Sequence, residues 1–323
     1  MSPSLTDVPG FHVGHAHDLE ALTGVTVVLP PAGTLGSVDV RGGAPATRET
    51  DLLAPEMLVA EVHGVVLCGG SALGLDAAAG VVAWLREQGR GFDVGVARVP
   101  IVPAAALFDL AVGQAERFPD AAMGYAACVA ATSAAVAEGC VGAGTGATVG
   151  KLLGMARAMK AGIGSWSERL PDGTMIGALV AVNALGDVWS EEGQLLAGVR
   201  HPQHGGMADA MTLLRDPEYQ QRFPWAGASF GGNTTLAVVA TDATLDKAGA
   251  RKLAQMAQAG LARSIRPIHT PLDGDSVFAL ASGQRPAPHM LLLGSIAAAV
   301  LARAVARAVQ SATSMGGVPA AAG

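Results

Sequence analysis

The run Gly231-Gly232-Asn233-Thr234-Thr235-Leu236-Ala237-Val238-Val239-Ala240-Thr241-Asp242 sets two glycines and two threonines directly before a β-type apolar stretch. Small, flexible residues thus deliver a threonine to the head of a strand, where a residue destined to become a new N-terminus belongs. A peptide bond cut before Thr234 gives one residue both a hydroxyl nucleophile and a free α-amine. With a pKa of about 7.7–8.0, that amine serves as general base near neutral pH. The stretch points to a chain that processes itself and then cleaves amides. Thr235 leaves a second option, because a cut one residue later also exposes a threonine.

The 323 residues suffice for one large domain or two ordinary ones. Half of them are apolar and 15% are charged, which leaves little surface to solvate. That balance fits a large core or a homo-oligomer with buried faces. The formal net charge is −6 and no basic stripe occurs, so nucleic acid is not an expected partner. Cys68, Cys128 and Cys140 lie in apolar or small-residue stretches without a C-x-x-C pair. They read as buried free thiols in a reducing compartment. The first ten residues lack a basic region and an apolar core, from which a cytoplasmic location is expected. The apolar run 291–305 is too short for a membrane span and carries Arg303, so it reads as a buried helix and no membrane partner is expected.

Periodicity predicts strands over 23–30, 37–41, 61–68, 93–101, 176–183, 234–241 and 276–281, with a return strand starting at 187. Helices are predicted over 71–88, most of 114–138, 245–265 and 289–312. Residues 197–230 lack a clear period and read as a long, partly mobile loop leading to the cut site. The tail 313–323 reads as frayed. The irregular alternation suggests mixed sheets covered by helices rather than a regular parallel barrel.

Several motifs fall short of a known chemistry. CGGSALG at 68–74 has neither the spacing of a dinucleotide fingerprint nor that of a nucleophile elbow, and Ser71 reads as a helix N-cap. GAGTGATVGK at 142–151 fails the phosphate-loop pattern twice. Its Lys151 reads either as an ordinary surface lysine or as a charge reaching into a cleft. His12, His15 and His17, like His201 and His204, match no metal site and read as loop histidines; no metal or cofactor is predicted. Asp273 and Asp275 flank a glycine just before a strand, so a tight turn brings both carboxylates to one sheet end, unless they are solvated turn residues. Asn183 ends an apolar strand, where its amide can donate to an oxyanion or simply close a turn.

Together and in this order these blocks resemble the P1 peptidase family, which includes L-aminopeptidase/D-esterases, β-peptidyl aminopeptidases and nylon-oligomer endo-hydrolases. The similarity runs from about Gly10 to about Val300. It is carried by VGHAHD at 13–18, TGVTVVL at 23–29, DVRGGAPATRETDLL at 39–53, CGGSALGLDAAAGV at 68–81, GATVGK at 146–151, GNTT at 232–235 and HTPLDGDSVFAL at 269–280. The resemblance implies an α/β (α+β) fold of the ornithine-acetyltransferase type, a four-layer αββα sandwich in one domain. It implies autocatalytic cleavage between Asn233 and Thr234 into 1–233 and 234–323. It places Lys151, Asn183, Asp273 and Asp275 among the supporting catalytic residues. Where nylon-hydrolase relatives have a tyrosine, this chain has Phe108, so any role of that phenol is missing.

The mechanism expected from this pattern begins with attack of Thr234 Oγ on the Asn233 carbonyl. In the mature enzyme the α-amine of Thr234 shuttles the proton, while Asn183 and a backbone N–H stabilise the oxyanion. Asp275 is expected to orient the Thr234 hydroxyl with Asp273 beside it, and Lys151 to keep these acids ionised. The expected substrate is a short peptide, amide or ester with a free amine. An acyltransferase of the ornithine-acetyltransferase type, and an uncleaved binding protein, remain as alternatives.

Overall fold

The computed structural model describes residues 2–201, 203–222 and 232–321. The strands of its two principal sheets are β1 (His12–Asp18), β2 (Thr23–Leu29), β3 (Leu35–Val40), β4 (Ala46–Arg48), β5 (Val65–Cys68), β6 (Ala104–Ala106), β7 (Ile163–Arg169), β8 (Met175–Asn183), β9 (Thr234–Ala243) and β10 (Ser276–Arg285). The α-helices are α1 (Ala77–Glu87), α2 (Ala121–Val129), α3 (Ala210–Arg215), α4 (Pro217–Arg222), α5 (Lys247–Ser264) and α6 (Met290–Gln310). One five-stranded sheet has the order β1-β2-β5-β6-β4, the other β7-β8-β9-β10-β3. Pairing is antiparallel except between β5 and β6 and between β9 and β10.

Side chains alternate across a strand, so a strand buried on both faces reads as continuously apolar. In β9, Leu236, Val238 and Ala240 join the core between the two sheets, while Ala237 and Val239 join the core under α5 and α6. In the first sheet Val28 and Leu67 face the partner sheet, and Val25, Val27 and Val66 pack under α1 and α2. The result is the four-layer αββα sandwich. Small residues let the outer helices approach closely: a Cβ on Gly260 of α5 would lie 2.3 Å from the Ala298 carbonyl oxygen of α6. α6 is long and apolar enough to cross a membrane by length and composition, yet Leu293, Val300, Leu301 and Val305 are buried in this core.

The structure departs from the sequence reading in several places. Residues 12–18 form β1, so His12, His15 and His17 sit on a strand rather than in a loop. The helix predicted over most of 114–138 contracts to α2, and Thr132 beyond it bridges to Val13 at the edge of β1. Ser71 does not cap a helix: it opens a 3-10 turn with φ +55° behind Gly70 and makes no capping bond. The strand predicted over 93–101 is a short ribbon, Phe92–Asp93 with Arg98–Val99. β7 was not predicted, because its polar alternation lacks a continuous apolar run. Within 197–230 lie α3 and α4, and residues 223–231 fall outside the described part. The tail is packed as far as it is described: Lys160 N–H donates to the Pro319 carbonyl at 2.8 Å, and Met315 pairs with Val318. The three cysteines are free and buried.

Candidate active site

Strand direction assembles the site at one edge of the second sheet. β8 runs antiparallel to β9, so its last residue, Asn183, pairs with the first residue of β9, Thr234. β10 runs parallel to β9, and Leu236 registers with Ser276. The residues leading into β10 therefore reach the same edge, and Asp273 bridges to Asn233. Lys151 arrives from a turn in which Gly150 has φ +68°, a left-handed conformation that suits glycine. The N–H groups of Gly150 and Lys151 donate to the Gly186 and Leu185 carbonyls, each at 3.0 Å, which fixes the turn beside the end of β8.

Lys151 and Asn183 interlock. Lys151 Nζ donates to Asn183 Oδ1 at 2.8 Å, to the Asn183 carbonyl at 3.0 Å and to the Gly232 carbonyl at 2.6 Å. Thr148 N–H also donates to Asn183 Oδ1, at 3.0 Å. These donors fix the amide's orientation, so its Nδ2 points to the carbonyls of Phe108 at 2.9 Å and Gly232 at 3.3 Å. Lys151 is not a surface lysine. Burial lowers its pKa to about 7, against the upward pull of Asp273 and Asp275.

The two acids are equally far from solvated turn residues: both are buried. Asp273 Oδ2 accepts from the Thr270 amide at 3.0 Å and from the Thr270 hydroxyl. Burial raises Asp273 to about 6, and the charge of Asp275 adds to the rise. Asp275 Oδ1 accepts from Thr235 N–H at 2.7 Å, and its Oδ2 from His269 N–H at 3.0 Å, with His269 Nδ1 at 3.2 Å.

The Thr234 hydroxyl donates to the Asn233 carbonyl oxygen, which also accepts from Gly274 N–H at 3.0 Å. A Cβ on Gly274 would lie 2.7 Å from Thr234 Oγ1, so glycine is what allows this approach. The nucleophile candidate is thus in contact with the carbonyl group it would attack. A cavity of about 970 Å³ opens beside Lys151, Gly232 and Asn233, with Phe108, Leu152, Leu213 and Tyr219 among its walls.

The structure brings Thr234, Asn183, Lys151, Asp273 and Asp275 to one place, with two differences from the expected contacts. Asp275 holds the Thr235 amide and His269, where the sequence reading gave it the Thr234 hydroxyl. Asn183 Nδ2 meets the carbonyl of Gly232, one residue ahead of Asn233, because Lys151 and Thr148 occupy its oxygen. Sequence reasoning missed Gly274, Thr148 and His269 as members of the site. All three lie in the GATVGK and HTPLDGDSVFAL blocks, but each meets the site through its backbone N–H, which side-chain chemistry does not advertise, and His269 adds its ring Nδ1. Of the histidines, His201 borders the cavity and stacks on His204. Among the described residues no group of three or more His, Cys, Asp or Glu is arranged to hold a metal ion.

The chain matches peptidase family S58 over residues 3–321. An uncharacterised aminopeptidase of Mycobacterium leprae is 45% identical over 98% of this chain and 92% of its own length. The 6-aminohexanoate-oligomer endohydrolase of Kocuria sp. is 31% identical over 87% of this chain and 76% of its own. Among solved structures, the L-aminopeptidase D-Ala-esterase/amidase of Ochrobactrum anthropi, described as a variant of the Ntn hydrolase fold, superposes with a TM-score of 0.72 at 22% identity, covering 98% of this chain and 89% of that one. A Burkholderia sp. β-aminopeptidase gives 0.70 at 24%, covering 100% and 91%. Fold and family together define an amidohydrolase that acts on peptide bonds. The chain belongs to peptidase family S58.

Proposed function

We propose that the chain is a self-processing N-terminal-threonine hydrolase with aminopeptidase-type activity on short peptides, amides or esters. The observation that carries this reading is the Thr234 hydroxyl on the Asn233 carbonyl, with Gly274 N–H donating to the same oxygen at 3.0 Å. Thr234 Oγ adds to the Asn233 carbonyl carbon, and Gly274 N–H takes the developing negative charge on its oxygen. The C–N bond then breaks, the hydroxyl proton ends on the departing amine, and an ester remains for water to cleave. The free Thr234 amine next becomes the base for substrate amides, whose carbonyl oxygen takes the position of that of Asn233. Lys151, buried close to two carboxylates, sets the local charge that holds the amine neutral and Asp273 ionised.

Relatives named aminopeptidase and 6-aminohexanoate-oligomer endohydrolase support an amine-bearing substrate. Phe108 borders the cavity where the resemblance to nylon-oligomer hydrolases implies a tyrosine, so activity on nylon-type oligomers is predicted to be weak. Exposed Leu58, Val96, Val129 and Leu291 favour burial against further copies of the processed unit. The test is a panel of aminoacyl p-nitroanilides, β-aminoacyl amides and 6-aminohexanoate oligomers, run on wild type, Thr234→Ser and Thr234→Ala. Turnover by the first two and a loss of roughly a thousandfold or more in the third are expected. Release from none of these by wild type removes the reading.

A further inference from the structure

We propose that His269 is a positioning residue of this reaction: through Asp275 it holds the Thr235 amide, and with it the Thr234 end from which hydrolysis proceeds. The proposal rests on Thr234 being the nucleophile, and it adds what keeps that residue still once the chain before it is cut. A chain end frays unless something ties it down. On one side Thr234 pairs with Asn183, the last residue of β8. On the other side β10 registers with β9 only from Leu236 on. There the Asp275 carboxylate stands in for a strand, its Oδ1 accepting from Thr235 N–H at 2.7 Å.

Asp275 is fully buried, and its second oxygen is held twice by one residue. Oδ2 accepts from His269 N–H at 3.0 Å, with the ring Nδ1 at 3.2 Å. His269 has φ +57°, a left-handed conformation that histidine enters more readily than most residues with a side chain. In that conformation its N–H and its ring reach the same oxygen. The ring's Nε2 is buried and finds no partner among the described residues, so a hydrogen there would have nothing to donate to. The ring therefore carries its hydrogen on Nδ1, where Asp275 accepts it. A carboxylate held at Oδ2 cannot swing Oδ1 away from Thr235. His269, Asp275 and Thr235 all follow the cut, so these contacts do not depend on the segment before Thr234.

Two substitutions separate the ring from the backbone that carries it. Asparagine tolerates a left-handed backbone, and its Nδ2 stands where histidine has Nδ1. Glycine keeps the conformation and the N–H without a side-chain donor. His269→Gly and His269→Asn are compared with wild type on the amide that wild type releases fastest. The glycine variant is expected to lose about tenfold or more in kcat with KM within about twofold, and the asparagine variant to restore kcat to within about threefold of wild type, the effect of one hydrogen bond to a charged group. Nitrogen NMR of protein labelled at histidine, with the His269 signals assigned by their loss in His269→Asn, is expected to show the hydrogen on Nδ1. A glycine variant as fast as wild type, a loss confined to KM, equal losses in both variants, or a hydrogen on Nε2 overturns the role of His269 and leaves the hydrolase reading intact. The NMR result decides the matter if the glycine variant does not fold. A wild type that releases nothing across the wider amide panel overturns both.

Discussion

Asp273 is 1% exposed and Asp275 is fully buried, and Lys151 is the cation that faces them. Burial holds Asp273 up at about 6, above its ordinary 3.8, so the folded chain binds more protons than the unfolded one between those values. Stability linked to Asp273 is thus lost as pH rises through that window. Asp273→Asn keeps an acceptor for Thr270 without the charge. It is predicted to melt a few degrees higher than wild type at about pH 8, with the gap closing toward about pH 4, and to be far less active. Thermal melts across this range check the sign; a variant less stable than wild type at the higher pH contradicts it. Gly274 offers a second test. A methyl at that position would press on Thr234 Oγ1 at 2.7 Å and on the Ala44 carbonyl at 2.9 Å. Gly274→Ala is predicted to slow conversion of the full-length chain by about tenfold or more while the fold survives, because small displacements of reacting atoms are costly. Time-resolved gel analysis beside a circular-dichroism melt separates these two effects.

The sheet edge is an outcome of strand direction. A strand ending at Asn183, one beginning at Thr234 and one beginning just after Asp275 converge only if the first runs against the second and the third runs with it. The apolar runs of β8, β9 and β10 made those strands legible in sequence, and the acids before β10 were legible as a turn. Their direction relative to one another was not, since periodicity carries no pairing information. β1 was hidden because HVGHAHD reads as polar, although Val13 joins the inter-sheet core and His15 is pinned by Thr26 at 2.9 Å. The alanine-rich stretch after Gln114 reads as mostly helical, but alanine propensity is a weak prior, and the pairing of Thr132 with Val13 overrides it beyond α2. Close packing of α5 on α6 is the element most exposed to a single change. Gly260→Val drives a branched side chain into the Ala298 carbonyl, and a loss of about 3 kcal/mol or more is predicted from denaturant unfolding. A loss well under about 1 kcal/mol means that the helices part without cost.

Across the whole molecule, the stretch from Thr234 onward contributes β9, α5, β10 and α6, while the stretch before it contributes β3, β7 and β8 to the same sheet. β9 lies between β8 and β10 and both of its ladders start at or after Thr234, so cutting the peptide bond before Thr234 leaves them in place. The processed pieces are predicted to travel as one particle in size-exclusion chromatography and to separate only in denaturant. Separation under native conditions would show that the sheet does not hold them. The αββα layering, and the candidate residues that meet at this sheet edge, were readable from ordered motif blocks. What those blocks withheld is the wiring: Asp275 to the Thr235 amide, and Lys151 and Asn183 to the Gly232 carbonyl. The most direct measurement is denaturing intact-mass spectrometry of the purified protein, with N-terminal sequencing of its smaller component. Two chains, 1–233 and one beginning Thr234-Thr235-Leu236, are predicted, and Thr234→Ala should stay whole. A wild-type chain that remains intact through prolonged incubation at neutral pH, or a fragment beginning at Thr235, contradicts Thr234 as the self-exposed nucleophile.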